Sequence, residues 1–139
     1  MNNLELKLIS PDKEYYNGYA DMVVIPGEEG DFSAMKEHAP IITFLRPGMI
    51  EVFNEDKLES SYFVGGGFVK ILDNKCLILV DYIKSKSDLD KKETEKEINI
   101  INEKIAHEKN VNLLEKLELK KKILQEEHQI TTIWMIGYL

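Results

Sequence analysis

All four prolines of this 139-residue chain, Pro11, Pro26, Pro40 and Pro47, fall within its first 83 residues. Seven of its eight glycines fall there too, and only Gly137 lies beyond. Proline lacks an amide hydrogen and glycine favours turns, so this stretch is interrupted too often for long helices. The remainder is nearly free of both and rich in Glu, Lys, Leu and Ile, a composition that sustains helices. The expected fold is therefore α+β: an N-terminal antiparallel β-sandwich over 1–84, then a C-terminal antiparallel helical hairpin with an apolar tail over 85–139.

Within the first part, strand-like runs are short and regularly spaced: Leu4–Ser10, Tyr15–Ile25, Ile41–Leu45, Met49–Phe53, Leu58–Val64, Phe68–Leu72 and Cys76–Ile83. Turn signals separate them at Pro11, Pro26-Gly27, Arg46-Pro47-Gly48, Asn54-Glu55-Asp56, Gly65-Gly66-Gly67 and Asp73-Asn74. Such spacing with no helical pattern between the runs suggests an antiparallel sandwich or barrel. In the second part Ser87 can cap a helix whose apolar stripe is Leu89, Ile98, Ile101 and Ile105. A break at Asn110 precedes a second stripe at Leu113, Leu114, Leu117, Ile123 and Leu124. So narrow a stripe predicts a marginal hairpin that leans on other surfaces.

Charge narrows the partners. The chain carries 18 basic and 25 acidic residues, net −7, and the whole excess belongs to residues 1–83. Nucleic acid is disfavoured, because phosphate binding needs clustered basic charge, and so is a polybasic membrane anchor. No apolar run is long enough to span a bilayer, and no basic-then-apolar leader is visible at the start. The single cysteine, Cys76, lies in an apolar run and is expected to pack as a small hydrophobe.

Catalytic constellations are weak. His38 has Asp31 and Glu37 near it in sequence and could form an acid/base or metal-ligand set, but no zinc-type spacing accompanies it, and a structural or interface role is the better reading. Gly65-Gly66-Gly67 is followed by strand, not helix, so it reads as a place of close backbone approach and not a phosphate loop. No serine sits in a nucleophile elbow. Neither catalytic residues, metal nor cofactor is expected. Lys120-Lys121-Lys122, the only basic triplet, is either a solvated face or a dock for an acidic surface. The tail from Ile130 is nearly uncharged and β-prone, and it must pack against something.

Pro26-Gly27-Glu28-Glu29-Gly30-Asp31-Phe32, His38-Ala39-Pro40-Ile41-Ile42-Thr43, Leu45-Arg46-Pro47-Gly48, Val64-Gly65-Gly66-Gly67-Phe68 and Leu89-Asp90 together resemble the epsilon subunits of F-type ATP synthase, in order and spacing. The resemblance implies a noncatalytic subunit of the rotor stalk, whose sandwich joins the gamma subunit to the c-ring. It implies a c-ring contact in the loop from Asp31 through Met35 and His38 to Ile42, and gamma contacts at Ser10 and Met49. The hairpin would inhibit ATP hydrolysis when extended toward the alpha/beta catalytic head, with Lys120, Lys121 and Lys122 as head contacts. The implied location is peripheral, at the cytoplasmic face of a bacterial inner membrane. The alternative is a free-standing β-sandwich binding module that oligomerises through its helices.

This chain departs from the family pattern in three places. Ser33-Ala34-Met35 stands where Gly and aliphatic residues are usual. Glu93-Thr94 occupies the Arg-Ala position of ATP-binding members, and an acidic residue there predicts no regulatory ATP binding. The hairpin also lacks the usual alanine- and arginine-rich character.

Overall fold

A computed structural model describes residues 3–137. Eight strands are followed by two helices: β1 Leu4–Ile9, β2 Glu14–Ala20, β3 Met22–Gly27, β4 Gly30–Met35, β5 Ile41–Asn54, β6 Lys57–Leu72, β7 Lys75–Leu79, β8 Ile83–Ser85, α1 Lys91–His107 and α2 Val111–Gly137. The chain divides into two compact units between Ser87 and Asp88.

One continuous sheet, ordered β2-β1-β7-β6-β5-β3-β4 with β8 against β6, builds the first unit. It becomes a sandwich because β5 and β6 are long enough to serve both layers. The first half of β5 and the second half of β6 lie beside β7, β1 and β2, whereas the other halves lie beside β3 and β8. The strands bend where Leu45 faces Gly67 and Pro47 faces Gly65. Gly66 and Gly67 have φ of +112° and +147°, and a Cβ on Gly67 would lie 2.3 Å from the Leu79 carbonyl oxygen. The triple glycine is thus the expected close approach, and Arg46-Pro47-Gly48 accommodates the bend on the facing strand.

Several boundaries differ from the sequence reading. The two expected turns at residues 46–48 and 65–67 are bends inside continuous strands. Tyr15–Ile25 is split at Asp21, and the last expected strand ends at Leu79, with β8 separate. All neighbouring pairs are antiparallel except β1 with β7, which is parallel, aligning Leu6 with Cys76. The core draws alternate residues from every long strand: Leu4, Leu6 and Leu8 from β1, Val23 and Ile25 from β3, Ile50 and Val52 from β5, Val69 and Ile71 from β6. Cys76 is buried among them, and burial pushes its thiol up to about 12.

In the second unit Asp90, not Ser87, caps α1, its carboxylate accepting from the amides of Lys92 and Glu93. Ser87 sits instead in a single 3-10 turn, Lys86–Asp88. The α1 stripe proceeds through Thr94, Ile98, Ile101 and Ile105. Asn110 receives the Leu113 amide on its side chain, starting α2 at the expected break. The tail from Ile130 is helical as far as Gly137, against its β-prone composition. Tyr138 and Leu139, which complete that tail, lie outside the described residues.

Polar residues continue the inner stripe of α2. Leu124, Glu127 and Thr131 are buried, and Thr94 Oγ1 donates to Glu127 Oε2 at 3.0 Å. One residue further along each helix, His128 Nε2 lies 3.0 Å from Glu95 Oε1. No helix among the described residues is long and apolar enough to cross a membrane.

Candidate functional site

The expected loop from Asp31 to Ile42 is not one loop. Residues 30–35 form β4, the terminal strand of the sheet, paired to β3 from Met22 opposite Met35 to Gly27 opposite Gly30. The run Gly-Asp-Phe-Ser-Ala-Met contains no Val, Ile or Thr, so propensity hides it. Asp31, Ser33 and Met35 are exposed on one side of β4, while Ala34 enters the core. Four residues of strand put Asp31 about 13 Å from Met35. The candidate contact therefore separates into two ends.

At one end, the β3–β4 turn carries Glu28 and Glu29, and Asp31 follows as the second residue of β4. Arg46 reaches it from β5, donating to Asp31 Oδ1 at 2.5 Å and to the Gly27 carbonyl at 2.6 Å. At the other end, the β4–β5 turn carries Glu37 and His38. The His38 amide donates to the Met35 carbonyl, and its Nδ1 lies 2.6 Å from the Ala39 carbonyl oxygen. The His38 ring packs 6.0 Å from the Phe32 ring. Glu37 has φ of +67°, and its amide donates to the Asn74 side chain at 2.6 Å, tying this turn to the β6–β7 turn. His38 hydrogen-bonds neither Asp31 nor Glu37, so the acid/base set suggested by adjacency is not assembled.

A third feature was not visible in the sequence. The outward side of β5, β6 and β7 is largely apolar: Phe44, Phe68 and Leu79 face one another across the strands, and in the next row Ile42 and Leu77 flank the exposed Lys70. Ile42 and Phe44 are 64% and 63% exposed, far above a packed residue. Leu72 and Leu79 are also exposed. Ser10 borders this side, lining a groove of about 580 Å³ with Ile9, Pro11, Phe44, Phe68 and Leu79. The only hint was Ile41-Ile42-Thr43-Phe44-Leu45, which is apolar at both alternations. Met49 lies on the other half of β5, half-buried and opposite the fully buried Phe63, away from the groove that Ser10 lines.

Residues 3–86 match the ATP synthase delta/epsilon chain β-sandwich domain. The epsilon chain of Parvibaculum lavamentivorans is 38% identical over 124 residues, covering 86% of this chain and 94% of that one. This chain belongs to the ATP synthase epsilon-chain family. The epsilon chain of Rhodospirillum rubrum is 40% identical over 77 residues, 55% of this chain and 58% of its own length. In fold, the epsilon-type chain here is similar to a chain of the Euglena gracilis mitochondrial ATP synthase OSCP/F1/c-ring assembly, with TM-score 0.72 at 19% identity over 91% of this chain and 79% of that chain. A chain of the Tetrahymena thermophila central stalk and c-ring gives TM-score 0.59 at 17% identity, covering 93% and 96%. As an epsilon chain, this protein is an accessory, noncatalytic subunit of ATP synthase.

The remaining expected contacts lie in the hairpin. Lys120 and Lys122 are exposed and Lys121 is half-buried. Successive helical residues are about 100° apart, so the triplet wraps around α2 and cannot form one flat basic patch. Thr94, at the position where ATP-binding members carry alanine, places its hydroxyl 2.8 Å from the Asp90 carbonyl oxygen and 3.0 Å from Glu127 Oε2, and Glu93 lies beside Lys96 at 3.6 Å.

Proposed function

We propose that this epsilon chain is the coupling piece of the rotor stalk, joining the gamma subunit to the c-ring at the cytoplasmic face of a bacterial inner membrane. The observation that carries this reading, beyond family membership, is the exposed apolar side of β5, β6 and β7. A solvated sandwich rarely leaves two large side chains such as Ile42 and Phe44 adjacent and bare, and such a patch marks an interface. Gamma docks there, with Ser10 at its border and Met49 as a separate contact on the second layer. The c-ring meets Asp31 at the start of β4, beside the β3–β4 turn, and Met35 and His38 at the opposite end of that strand. Ile42, four residues past His38, borders both partners.

In this reading residues 1–84 serve coupling and residues 85–139 regulation. The hairpin approaches the catalytic head through Lys120, Lys121 and Lys122, which spread around α2 and so meet acidic groups on more than one side of it, and inhibits hydrolysis without binding ATP. Co-expression with gamma and capture through a tag on this chain tests the assignment. The wild-type chain is expected to retain gamma, and Phe44→Glu to lose it while staying folded. Capture of gamma by Phe44→Glu at the wild-type level would remove the docking surface. A wild-type chain that forms its own stable dimer and ignores gamma would favour the free-standing module.

A further inference from the structure

Arg46 is the only arginine in the chain, and it holds two acceptors at once. Nη1 donates to the Gly27 carbonyl and Nη2 to Asp31 Oδ1. These acceptors flank the Glu28-Glu29 turn on either side. The Glu28 amide donates in turn to the Phe44 carbonyl at 2.9 Å, so the turn is tied to β5 at three points. A planar guanidinium can span two acceptors in fixed directions, whereas a lysine ammonium is a point charge on a flexible stem.

Resting on the rotor reading, we propose that Arg46 is a positioning residue, which fixes the Asp31 carboxylate and the acidic turn so that the c-ring meets a stiff contact. With Oδ1 held by the guanidinium, the exposed Asp31 carboxylate keeps its second oxygen for a donor on the ring. The Arg46 and Asp31 side chains are 43% and 63% exposed, and pairs so exposed contribute little to global stability. Loss of the clamp should therefore act on local order and coupling, and not on folding.

The test uses the assembled enzyme in membrane vesicles, comparing wild type, Arg46→Lys and Arg46→Met for protons pumped per ATP hydrolysed. Amide exchange at Glu28 in the intact chain is measured alongside. With normal assembly, Arg46→Met is expected to lower the pumping ratio and to speed Glu28 exchange by about two- to five-fold, the range open to an exposed pair. Arg46→Lys keeps the charge but loses the fork, so it should fall between the two. Wild-type pumping in an assembled Arg46→Met enzyme, or unchanged Glu28 exchange, would overturn the proposal. If Arg46→Met does not fold, Arg46→Lys decides, and wild-type values in both measurements would overturn it. Failure of the wild-type chain to assemble with gamma and the c-ring would instead overturn the rotor reading, and it shows before any variant is compared.

Discussion

Gly67 and Gly30 separate two effects that a glycine can have. Both hold positive φ, but a Cβ on Gly67 would strike the Leu79 carbonyl, whereas a Cβ on Gly30 would meet nothing within 4 Å. Gly30→Ala thus measures backbone strain alone and should cost about 1 kcal/mol; Gly67→Ala adds the clash and should cost about 2–4 kcal/mol. Denaturant titration of both variants checks the difference. Cys76 offers a pH test. Burial raises its folded value from 9.0 to about 12, so its contribution is fully present below pH 9 and is lost as pH rises toward 12. The wild-type chain should lose more stability than Cys76→Ala between those limits. Single residues were unevenly legible: the buried thiol and the close-approach glycines follow from their neighbours in sequence. The Asp31–Arg46 contact does not, because it joins residues from β4 and β5 whose meeting depends on the register of β3 between them.

Elements were read best where pattern and propensity agree. Leu4, Leu6 and Leu8 alternate into the core, and Ile98, Ile101 and Ile105 keep helical spacing, so β1 and α1 were expected close to where they lie. The bends at Pro47 and Gly66 misled because proline and glycine serve a bent strand as well as a turn. In the tail, Thr131 and Thr132 turn their hydroxyls back to the carbonyls of Glu127 and His128, and an established helix extends more readily than a strand without a partner. The polar seam of the hairpin was invisible because buried Thr94 and Glu127 carry no hydropathy signal. Thr94→Val should weaken the hairpin by about 1–2 kcal/mol, since it removes a hydroxyl in contact with both the Asp90 carbonyl and the buried Glu127 carboxylate. Amide exchange should then quicken at Ile101 and Leu124 but not at Val69 and Ile78.

At the scale of the molecule, the strand core is complete by Ile83, so a chain ending at Ser87 is expected to fold and to retain gamma. In the assembled enzyme that truncation should raise ATPase activity. Unchanged activity would remove the inhibitory role from α1 and α2 while leaving the coupling role intact. The division into a proline- and glycine-rich sheet and a helical remainder was legible from composition, because those residues act locally. The exposed apolar side was not, because it arises only when three strands align their outward residues.

The parallel pairing of β1 with β7 bears on how the protein is made. β1 is synthesised well before its second neighbour, β7, and Leu6 waits for Cys76. Until residues 75–79 emerge, one edge of β1 is open to other nascent chains. The sheet therefore closes only once β7 is out, and a chaperone holding the first strand would have its effect before the helices emerge.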